Sequence, residues 1–269
     1  MQLSGQTIVI TGAASGIGHA LARRFAREAP AGIMLADLAA NGEQMAALAD
    51  SLRAGGDGLA SVPCEWRACD VGREDQVRAL ADAALKSFGQ IDLFCSNAGI
   101  IRDGDENTPD DLWQLNWQVH VMAHVYAARA VVPKMLERGG GYLLNTASAA
   151  GLITSLPSAT YAVTKHAAIA FAETLAIRHG DAGLKVSVLC PQAVDTPMVQ
   201  GRPGSSAAKV DGIMSADDLA ESVVRGLAAE SFLILPHPEV VEYFRRKAND
   251  YDRWLGGMRR FARKLSEQR

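Results

Sequence analysis

The chain has few cysteines, no long hydrophobic run and little excess charge. Its four cysteines, Cys64, Cys69, Cys95 and Cys190, match neither the spacing of a metal site nor the density of a disulfide scaffold. No apolar stretch approaches the roughly 18 residues that a membrane-spanning helix needs. The first residues also lack the charged and apolar regions of a secretory leader. These absences predict free thiols, no metal site, no membrane span and a cytoplasmic location.

Composition narrows the range of binding partners further. The net charge of −3 provides no overall attraction for nucleic acids or anionic lipids. Hydrophobic residues make up 48% of the 269 positions and charged residues 21%, as in ordinary globular proteins. This length is sufficient for one large α/β domain with a sizeable core. We therefore expect a globular protein with small-molecule rather than nucleic-acid ligands.

Short apolar runs rich in β-forming residues alternate with longer helical patterns over most of the chain. The runs are TIVIT (7–11), GIMLAD (32–37), IDLFCSN (91–97), GYLLNTAS (141–148), KVSVLCP (185–191) and FLILP (232–236). A further strand is expected before Asp70, as either LASVP or EWRAC, and EWRAC is favoured because it leads into Asp70. Regular alternation of strand and helix predicts a doubly wound parallel α/β sheet of about seven strands, with helices on both faces. No linker-like segment divides residues 1–236, so we expect a single domain.

Two helix boundaries follow from local chemistry. One helix is predicted to start near Thr108 and Pro109, since Thr is a good N-cap and Pro suits the first turn. Residues 237–269 predict a helical extension that begins near Pro238 and breaks at Gly256-Gly257. Packing of this cationic extension on the domain or on a neighbouring subunit is favoured over binding to a membrane surface. It could also roof a ligand site.

A glycine-rich loop, TGAASGIG (11–18), joins the first strand to the first helix. Glycines allow a tight turn and close approach of a phosphate, while the helix N-terminus attracts an anion. In this strand–loop–helix context the loop predicts a Rossmann-like dinucleotide site, although a structural turn is the alternative. Asp37 ends the second strand and suits the adenosine ribose hydroxyls, whereas Ala14, Ser15 and Leu38 provide no cation for a 2′-phosphate. NAD is therefore favoured over NADP, and a helix-capping role for Asp37 remains the alternative.

Several separate motifs resemble those of the short-chain dehydrogenase/reductase family. The glycine loop is similar to its TGxxxGxG motif, SNAG (96–99) to its NNAG segment, and Tyr161-x-x-x-Lys165 to its YxxxK motif. Ser148 lies thirteen residues before Tyr161, as the family's catalytic serine does, and PQAVDTPM (191–198) is similar to its PGxVxTxM segment. The resemblance extends from residue 5 to about residue 236. It implies an NAD-dependent oxidoreductase that forms homodimers or homotetramers.

The resemblance also assigns site residues. It implies that the cofactor is bound by Thr11, Gly12, Ser15, Gly16, Ile17, Gly18, Asp37, Leu38, Asp70, Val71, Asn97, Ala98, Gly99, Tyr161, Lys165, Pro191, Val194 and Thr196. Tyr161 is the expected general acid and base, Lys165 its electrostatic partner and Ser148 the anchor of the substrate oxygen. A free tyrosine, with a pKa of about 10, is a poor base near neutrality. A fixed ammonium one helical turn away favours the phenolate.

Two positions depart from the family pattern. His120 occupies the position of the family's catalytic asparagine, which helps to hold a water that relays protons from the lysine. A neutral imidazole has one donor and one acceptor and could join the relay, or His120 could pack between helices with the relay altered. Direct participation predicts a changed pH profile in His120→Asn. Gln192 replaces a glycine beside the expected nicotinamide and could narrow the pocket or contact the substrate.

The segments expected at the substrate end are largely apolar. Ser148, Leu152, Gln192 and Met198 are the predicted substrate contacts, and no arginine clamp for an anion stands among residues 149–158 and 192–194. Arg202 and Lys209 are the nearby cations, in a loop (198–214) that could act as a lid. We expect hydride transfer between NAD(H) and a hydrophobic secondary alcohol or ketone. The alternatives are an NAD-binding sensor with chemistry impaired by His120, and an epimerase that uses redox transiently.

Overall fold

A computed structural model describes residues 1–56, 61–200 and 211–267 and contains a seven-stranded sheet. Every neighbouring pair of strands runs parallel, in the order β3-β2-β1-β4-β5-β6-β7. The strands are β1 (Thr7–Thr11), β2 (Gly32–Asp37), β3 (Cys64–Ala68), β4 (Leu93–Ser96), β5 (Gly141–Thr146), β6 (Leu184–Leu189) and β7 (Leu233–Ile234). The doubly wound prediction is confirmed, and EWRAC rather than LASVP supplies most of β3. Residues 59 and 60 of LASVP, together with 201–210 of the proposed lid, including Arg202 and Lys209, lie outside the described residues.

Ten α-helices are described around this sheet. They are α1 (Gly16–Ala26), α2 (Gly42–Ala54), α3 (Glu74–Phe88), α4 (Asp110–Trp117), α5 (Ala123–Glu137), α6 (Ala150–Ile153), α7 (Ala159–His179), α8 (Ala216–Ala228), α9 (Glu239–Asn249) and α10 (Tyr251–Ser266). Gln118–Met122 forms a π-helical turn between α4 and α5. No helix in the described parts has the length and apolar character needed to cross a membrane.

The inner strands are buried on both sides because each face of the sheet carries its own helical layer, whereas the edge strand β3 is largely exposed. In β1, Ile8 and Ile10 belong to the core shared with α1, α2 and α8, whereas Val9 belongs to the core shared with α3, α5 and α7. This alternation follows from the two-residue period of a strand. It explains why the strands are almost continuously apolar in sequence.

The strand order reverses direction at the β1–β4 pair, where the chain has crossed from one half of the sheet to the other. The loops that follow β1 and β4 lead to opposite faces of the sheet, and this leaves a crevice beyond the carboxyl ends of the two strands. The glycine loop follows β1, and Asn97 follows β4. The topology therefore gathers the predicted cofactor residues at one end of the sheet.

The helices expected to start near Thr108-Pro109 and near Pro238 are both present, whereas the expected cap and the expected break need correction. The helix expected at Thr108 is α4, which begins at Asp110 with Pro109 at the cap position, and the Thr108 hydroxyl is buried without a partner among the described residues. The expected break at Gly256-Gly257 is absent, because both glycines lie inside α10. The chain breaks at Asp250 instead, whose carboxylate accepts a hydrogen bond from the Arg253 N–H at 3.0 Å and so caps α10.

Candidate active site

A cleft of about 1450 Å³ lies at the carboxyl ends of the strands. This exceeds the ~300–1,000 Å³ of a typical ligand pocket, so it has room for more than one small molecule. Predicted site residues that line it are Gly12, Ser15, Gly16, Ile17, Asp37, Leu38, Asp70, Val71, Asn97, Ala98, Gly99, Ser148, Tyr161, Lys165, Pro191, Gln192, Val194, Thr196 and Met198. Thr11, Gly18, His120 and Leu152 do not line the cleft and lie behind its walls.

The glycine loop has a backbone that other residues would not adopt easily. Gly12 and Gly16 have φ values of +68° and +54°, in the left-handed region that disfavours a Cβ. At Gly18 the conformation is ordinary, but an added Cβ would lie 2.1 Å from the Gly12 carbonyl oxygen. Gly18 therefore lets α1 approach the strand-end turn closely.

This loop fits the pyrophosphate of a dinucleotide. α1 begins at Gly16, and its first turn contains no acidic residue. Ser15 occupies the cap position without a side-chain hydrogen bond to the helix, which leaves its hydroxyl available to a ligand. The helix dipole and the open N–H groups of the first turn together favour an anion.

At the other end of the glycine loop, Asp37 holds a defined orientation. Its Oδ2 accepts from the Ala14 N–H at 2.9 Å, while Oδ1 accepts from the Leu38 N–H at 2.8 Å and the Asn41 amide at 2.7 Å. The carboxylate faces the cleft beside Leu38, Asn41 and Asp70. No Lys or Arg lines this end of the cleft in the described ranges.

Thr11 and Asn97 support the loop from behind. The Asn97 backbone N–H donates to the Thr11 Oγ1 at 2.9 Å, and the Asn97 amide donates to the Thr11 carbonyl at 3.0 Å. Its Oδ1 accepts from the Thr146 hydroxyl at 3.1 Å. Asn97 thereby ties the ends of β1, β4 and β5 together.

Tyr161 and Lys165 lie side by side at the start of α7. Ser158 caps this helix by accepting from the Tyr161 N–H at 3.2 Å. The Lys165 Nζ lies 5.5 Å from the centre of the Tyr161 ring and donates to the Thr146 carbonyl at 2.9 Å. Lys165 is 2% exposed, and burial lowers its pKa to about 8.

Ser148 lies on the same side of the cleft, just after β5. Its hydroxyl donates to the Pro191 carbonyl at 3.3 Å and accepts from the Ala150 N–H at 3.1 Å. These bonds fix the oxygen beside the cleft without an acidic or basic partner. Ser148, Tyr161 and Lys165 are thus brought together by β5, α7 and the turn after β6.

His120 is fully buried in the π-helical turn, with its ring edge-on to Tyr161 at 5.4 Å between centroids. Its Nε2 accepts from the Ile100 N–H at 3.1 Å, so we assign the proton to Nδ1, which lies 2.9 Å from the Thr164 Oγ1. Thr164 in turn donates to the Thr160 carbonyl at 2.8 Å. Burial, aided by the charge of Lys165, holds the His120 pKa well below its ordinary value. Both ring nitrogens are therefore already hydrogen-bonded, and the ring is neutral.

At the substrate end, the assignment of Leu152 needs correction. Leu152 is 5% exposed and packs in the core, while the adjacent Ile153 lines the cleft with Leu156. Successive residues of the short helix α6 point in different directions, so a shift of one position exchanges core for cleft. The Gln192 N–H donates to the His237 Nδ1 at 3.2 Å, and its buried Oε1 has no partner among the described residues.

The sequence analysis missed Lys247 on α9. Its buried Nζ donates to the Leu152 carbonyl at 2.7 Å and lies 3.2 Å from the His166 Nε2. It also lies 5.6 Å and 5.1 Å from the ring centres of Tyr251 and Trp254. A lysine between apolar helix positions is the one sequence signal for this contact. The ammonium ties α9 and the start of α10 to the wall of the cleft.

Helix α10 contributes a wall of the cleft. Its lining residues are Asp250, Arg253, Trp254, Gly257, Met258, Arg260 and Phe261. The C-terminal extension therefore covers part of the cleft, as one of the interpretations of the sequence allowed. A search of the described residues finds no group of three His, Cys, Asp or Glu side chains that could hold a metal ion.

Comparison with known proteins adds an independent line of evidence. Residues 6–205 match the family model described as short chain dehydrogenase. The chain is 39% identical to the 1-deoxy-11-beta-hydroxypentalenate dehydrogenase of Streptomyces exfoliatus, over 89% of this chain and 86% of the relative. It is 37% identical to 3beta-hydroxysteroid dehydrogenase 2 of Eggerthella lenta, over 72% and 73% of the two chains.

Solved structures with the same fold include complexes with both nicotinamide cofactors. A short chain dehydrogenase/reductase from Burkholderia phymatum in complex with NAD superposes with a TM-score of 0.83 at 30% identity, covering 94% of this chain and 96% of that chain. L-Sorbose reductase from Gluconobacter frateurii, complexed with NADPH and L-sorbose, has a TM-score of 0.75 at 28% identity, with 87% and 95% covered.

Proposed function

The chain belongs to the short-chain dehydrogenase family, and we propose that it transfers a hydride between NAD and a hydrophobic secondary alcohol or its ketone. The observation that carries this proposal is the grouping of Ser148, Tyr161 and Lys165 on one wall of a cleft whose adjoining wall is the glycine loop. When bound, NAD supplies the nicotinamide carbon that accepts or returns the hydride.

In the proposed mechanism Tyr161 takes the proton from the substrate hydroxyl during oxidation and returns it during reduction. Lys165 carries a positive charge at neutral pH, since its pKa of about 8 lies above that range. Its position beside the Tyr161 ring favours the phenolate over the phenol. The Ser148 hydroxyl, held by Pro191 and Ala150, orients the substrate oxygen and stabilises charge that develops on it.

His120 serves this mechanism as a positioning residue rather than as a proton carrier. Its nitrogens hold Ile100, which lines the cleft, and Thr164, which lies on the same helix as Tyr161 and Lys165. A proton relay through the ring would require one of these bonds to break. We assign the task of the family's asparagine side chain to this bridge between the β4 loop and α7.

Preference for NAD over NADP is supported by the Asp37 carboxylate. It faces the part of the cleft where a 2′-phosphate would lie, and like charges repel there. Its three hydrogen bonds hold it in place. Since solved relatives bind either NAD or NADPH, the choice rests on this residue.

The substrate class is supported by the lining of the cleft and by the relatives. The cleft that Tyr161 lines also has an apolar lining, which includes Ile101, Leu115, Ile153, Leu156 and Phe261. The relatives named above act on a hydroxypentalenate and a hydroxysteroid. Both names describe hydroxyl compounds, and a steroid is a bulky apolar framework that suits such a surface.

The test is NADH formation, followed by absorbance, with a panel of 3β-hydroxysteroids and other apolar secondary alcohols. Tyr161→Phe should reduce turnover by roughly 10²–10⁴-fold, because the acid–base group is removed. NADH binding, measured by fluorescence, should remain unchanged. NADP is run in parallel and should support much lower turnover than NAD.

Tyr126→Phe is the matched control, because its hydroxyl bonds the Gln118 side chain and does not line the cleft. It should retain turnover. Undiminished activity in Tyr161→Phe would contradict the proposed base. A wild-type protein that binds NAD yet oxidises no member of the panel would favour a nucleotide sensor.

A further inference from the structure

A row of arginines runs along the cleft side of the C-terminal helices. Arg246 of α9 and Arg253 and Arg260 of α10 succeed one another at intervals of seven residues, and all three line the cleft. Within α10 the lining positions recur every three or four residues, which is the spacing of one helix face. The three arginines are exposed and therefore lie along the solvent-accessible rim of the cleft.

Two of these guanidinium groups have no partner among the residues that the structure describes. Arg246 pairs with Glu242 at 2.7 Å on the same helix. In the residues that the structure describes, the side chains of Arg253 and Arg260 form no hydrogen bond or ion pair, although Arg253 donates its backbone N–H to Asp250. Each of them can donate several hydrogen bonds in a planar fork that fits a carboxylate.

Gly256 and Gly257 shape the surface around Arg260. A Cβ added at Gly257 would lie 3.9 Å from the Arg260 Nη2, and one added at Gly256 would lie 3.6 Å from its Nη1. The guanidinium therefore lies back along the helix where side chains are missing. Two adjacent glycines weaken a helix by roughly 1 kcal/mol each relative to alanine. Here they leave open space beside the cation on the cleft side, where Gly257 is a lining residue.

The contacts of Lys247 place α9 and the start of α10 on the α6 side of the cleft. Lys247 anchors α9 to the Leu152 carbonyl of α6, and the Tyr243 hydroxyl donates to Asp211 at 2.9 Å. These contacts hold the helices near Ile153 and Leu156, whereas the adenosine end of the cleft is marked by Asp37 and Asn41. An anion at Arg253 would thus belong to the substrate.

Apolar side chains accompany the arginines on this wall. Trp254, Met258 and Phe261 line the cleft from α10. A ligand that reaches from Tyr161 to Arg253 must therefore be apolar in its middle and charged at one end. Asp250 and Asp211 also line the cleft, and one oxygen of each accepts a hydrogen bond, from the Arg253 N–H and from the Tyr243 hydroxyl respectively.

We infer that Arg253 and Arg260 bind a carboxylate at the end of the substrate remote from its hydroxyl group, so that the substrate is an apolar hydroxy acid. The identity of the reacting end rests on the proposed function. The anion subsite itself does not, because binding can be measured without turnover.

The first experiment compares decanoate with decan-1-ol as ligands of the NADH-loaded protein, by isothermal titration calorimetry. Wild type should bind decanoate about ten-fold more tightly than the alcohol, as expected for a charge-assisted hydrogen bond at a partly exposed site. Arg253→Leu should abolish that preference, and Arg253→Lys should retain part of it. Arg259→Leu is the matched control, because Arg259 is an exposed neighbour on α10 that does not line the cleft.

Equal affinity for the two ligands, failure of both to bind, or a preference that survives in Arg253→Leu would each overturn the inference. A preference lost equally in Arg259→Leu would also overturn it, since the effect would then be one of general charge.

A second measurement separates this inference from the proposed function. The oxidation of 10-hydroxyundecanoate is compared with that of its methyl ester in wild type and Arg253→Leu. The KM of the acid should rise about ten-fold in the variant, with little change in kcat or in the KM of the ester. Carboxylate binding without turnover of either compound would contradict the dehydrogenase and leave the anion subsite standing. Turnover of the acid and the ester with equal KM values would support the dehydrogenase and contradict the anion subsite.

Discussion

The two halves of the cleft are built by different means. The cofactor half consists of backbone and short side chains, with glycines at Gly12, Gly16 and Gly18 and a brace at Asn97 that joins three strands. The substrate half is covered by α9 and α10, whose side chains on the cleft face are long and partly exposed. The shape of the cofactor half depends on the absence of side chains at its glycines, whereas the helices of the substrate half are held in place by a few polar contacts.

This contrast follows from what each half must recognise. A pyrophosphate is bound by main-chain N–H groups, so the sequence there is restricted to residues that leave the backbone accessible. A variable organic substrate is bound by side chains, which can change without altering the backbone. Substitutions in the cofactor half should therefore strongly reduce binding, whereas substitutions in the substrate half should change affinity gradually.

The sharpest challenge to the cofactor half is Gly18→Ala. Its Cβ would lie 2.1 Å from the Gly12 carbonyl oxygen, so the turn or the helix must shift. Overpacking of this kind costs ~1–3 kcal/mol, and we expect the Kd for NADH, measured by fluorescence, to rise by about 10- to 100-fold.

Gly180→Ala is the control, since an added Cβ meets open space and φ is −58° at that position. It should bind NADH as wild type does. Normal NADH binding by Gly18→Ala would mean that the loop adapts, and the contrast between the halves would fail.

In the substrate half, Lys247→Met should weaken substrate binding under α9 and α10 without affecting cofactor binding. The substitution keeps the volume but leaves the Leu152 carbonyl and the His166 Nε2 without their donor. Such a loss costs about 1–3 kcal/mol, which should loosen α9 and α10 and raise the substrate KM by at least about five-fold. The Kd for NADH should not change.

Arg245→Met provides the matched comparison, because it removes an exposed positive charge from the same helix. Its KM should equal that of wild type. A parallel loss of NADH affinity in Lys247→Met would show that the two halves are coupled through α7.

The smallest expected effect is that of His120→Asn, at the junction of the two halves. Because burial and the charge of Lys165 hold the His120 pKa well below its ordinary value, the ring is expected to be neutral at neutral pH and above. We therefore expect kcat to change by less than about ten-fold, with a pH profile of kcat/KM that keeps its shape. A limb of the profile that moves or disappears would identify the imidazole as a direct proton carrier.

The same shift in the His120 pKa has a consequence for stability. The His120 pKa is lower in the folded state than in the unfolded state. As the pH falls below about 6.5, the unfolded chain takes up a proton at His120 that the folded protein does not. The free energy of unfolding therefore decreases as the pH falls below this value. His120→Asn should lose less stability than wild type between pH 6.5 and pH 5. Thermal unfolding at both pH values checks this expectation.

Contiguous features of the fold could be predicted from the sequence. The bounds of β1 and β2 match the runs TIVIT and GIMLAD, because strands buried on both faces form nearly continuous apolar runs. The glycine loop could also be predicted, because the turn after β1, the close approach of α1 to it and the start of α1 all lie within eight residues.

Features that join distant segments could not be predicted. Lys247 bonds a carbonyl 95 positions earlier in the chain, and no local pattern encodes that pairing. The C-terminal break lies at Asp250 rather than at Gly256-Gly257, because a capping carboxylate starts a new helix while glycines can remain helical. The place of Arg253 and Arg260 on the cleft also depends on the tertiary position of α10, which no local pattern encodes.

The attachment of α9 and α10 through Lys247 and Tyr243 bears on how substrate range diverges among such enzymes. Residues 239–267 form one uninterrupted stretch that is remote in sequence from Ser148, Tyr161 and Lys165. Recombination or grafting of this stretch can therefore change the chemical identity of the recognised molecule in a single event. A donor segment needs to preserve an ammonium that meets the Leu152 carbonyl and a hydroxyl that meets Asp211. Such chimeras offer a route to altered substrates with the redox centre left untouched.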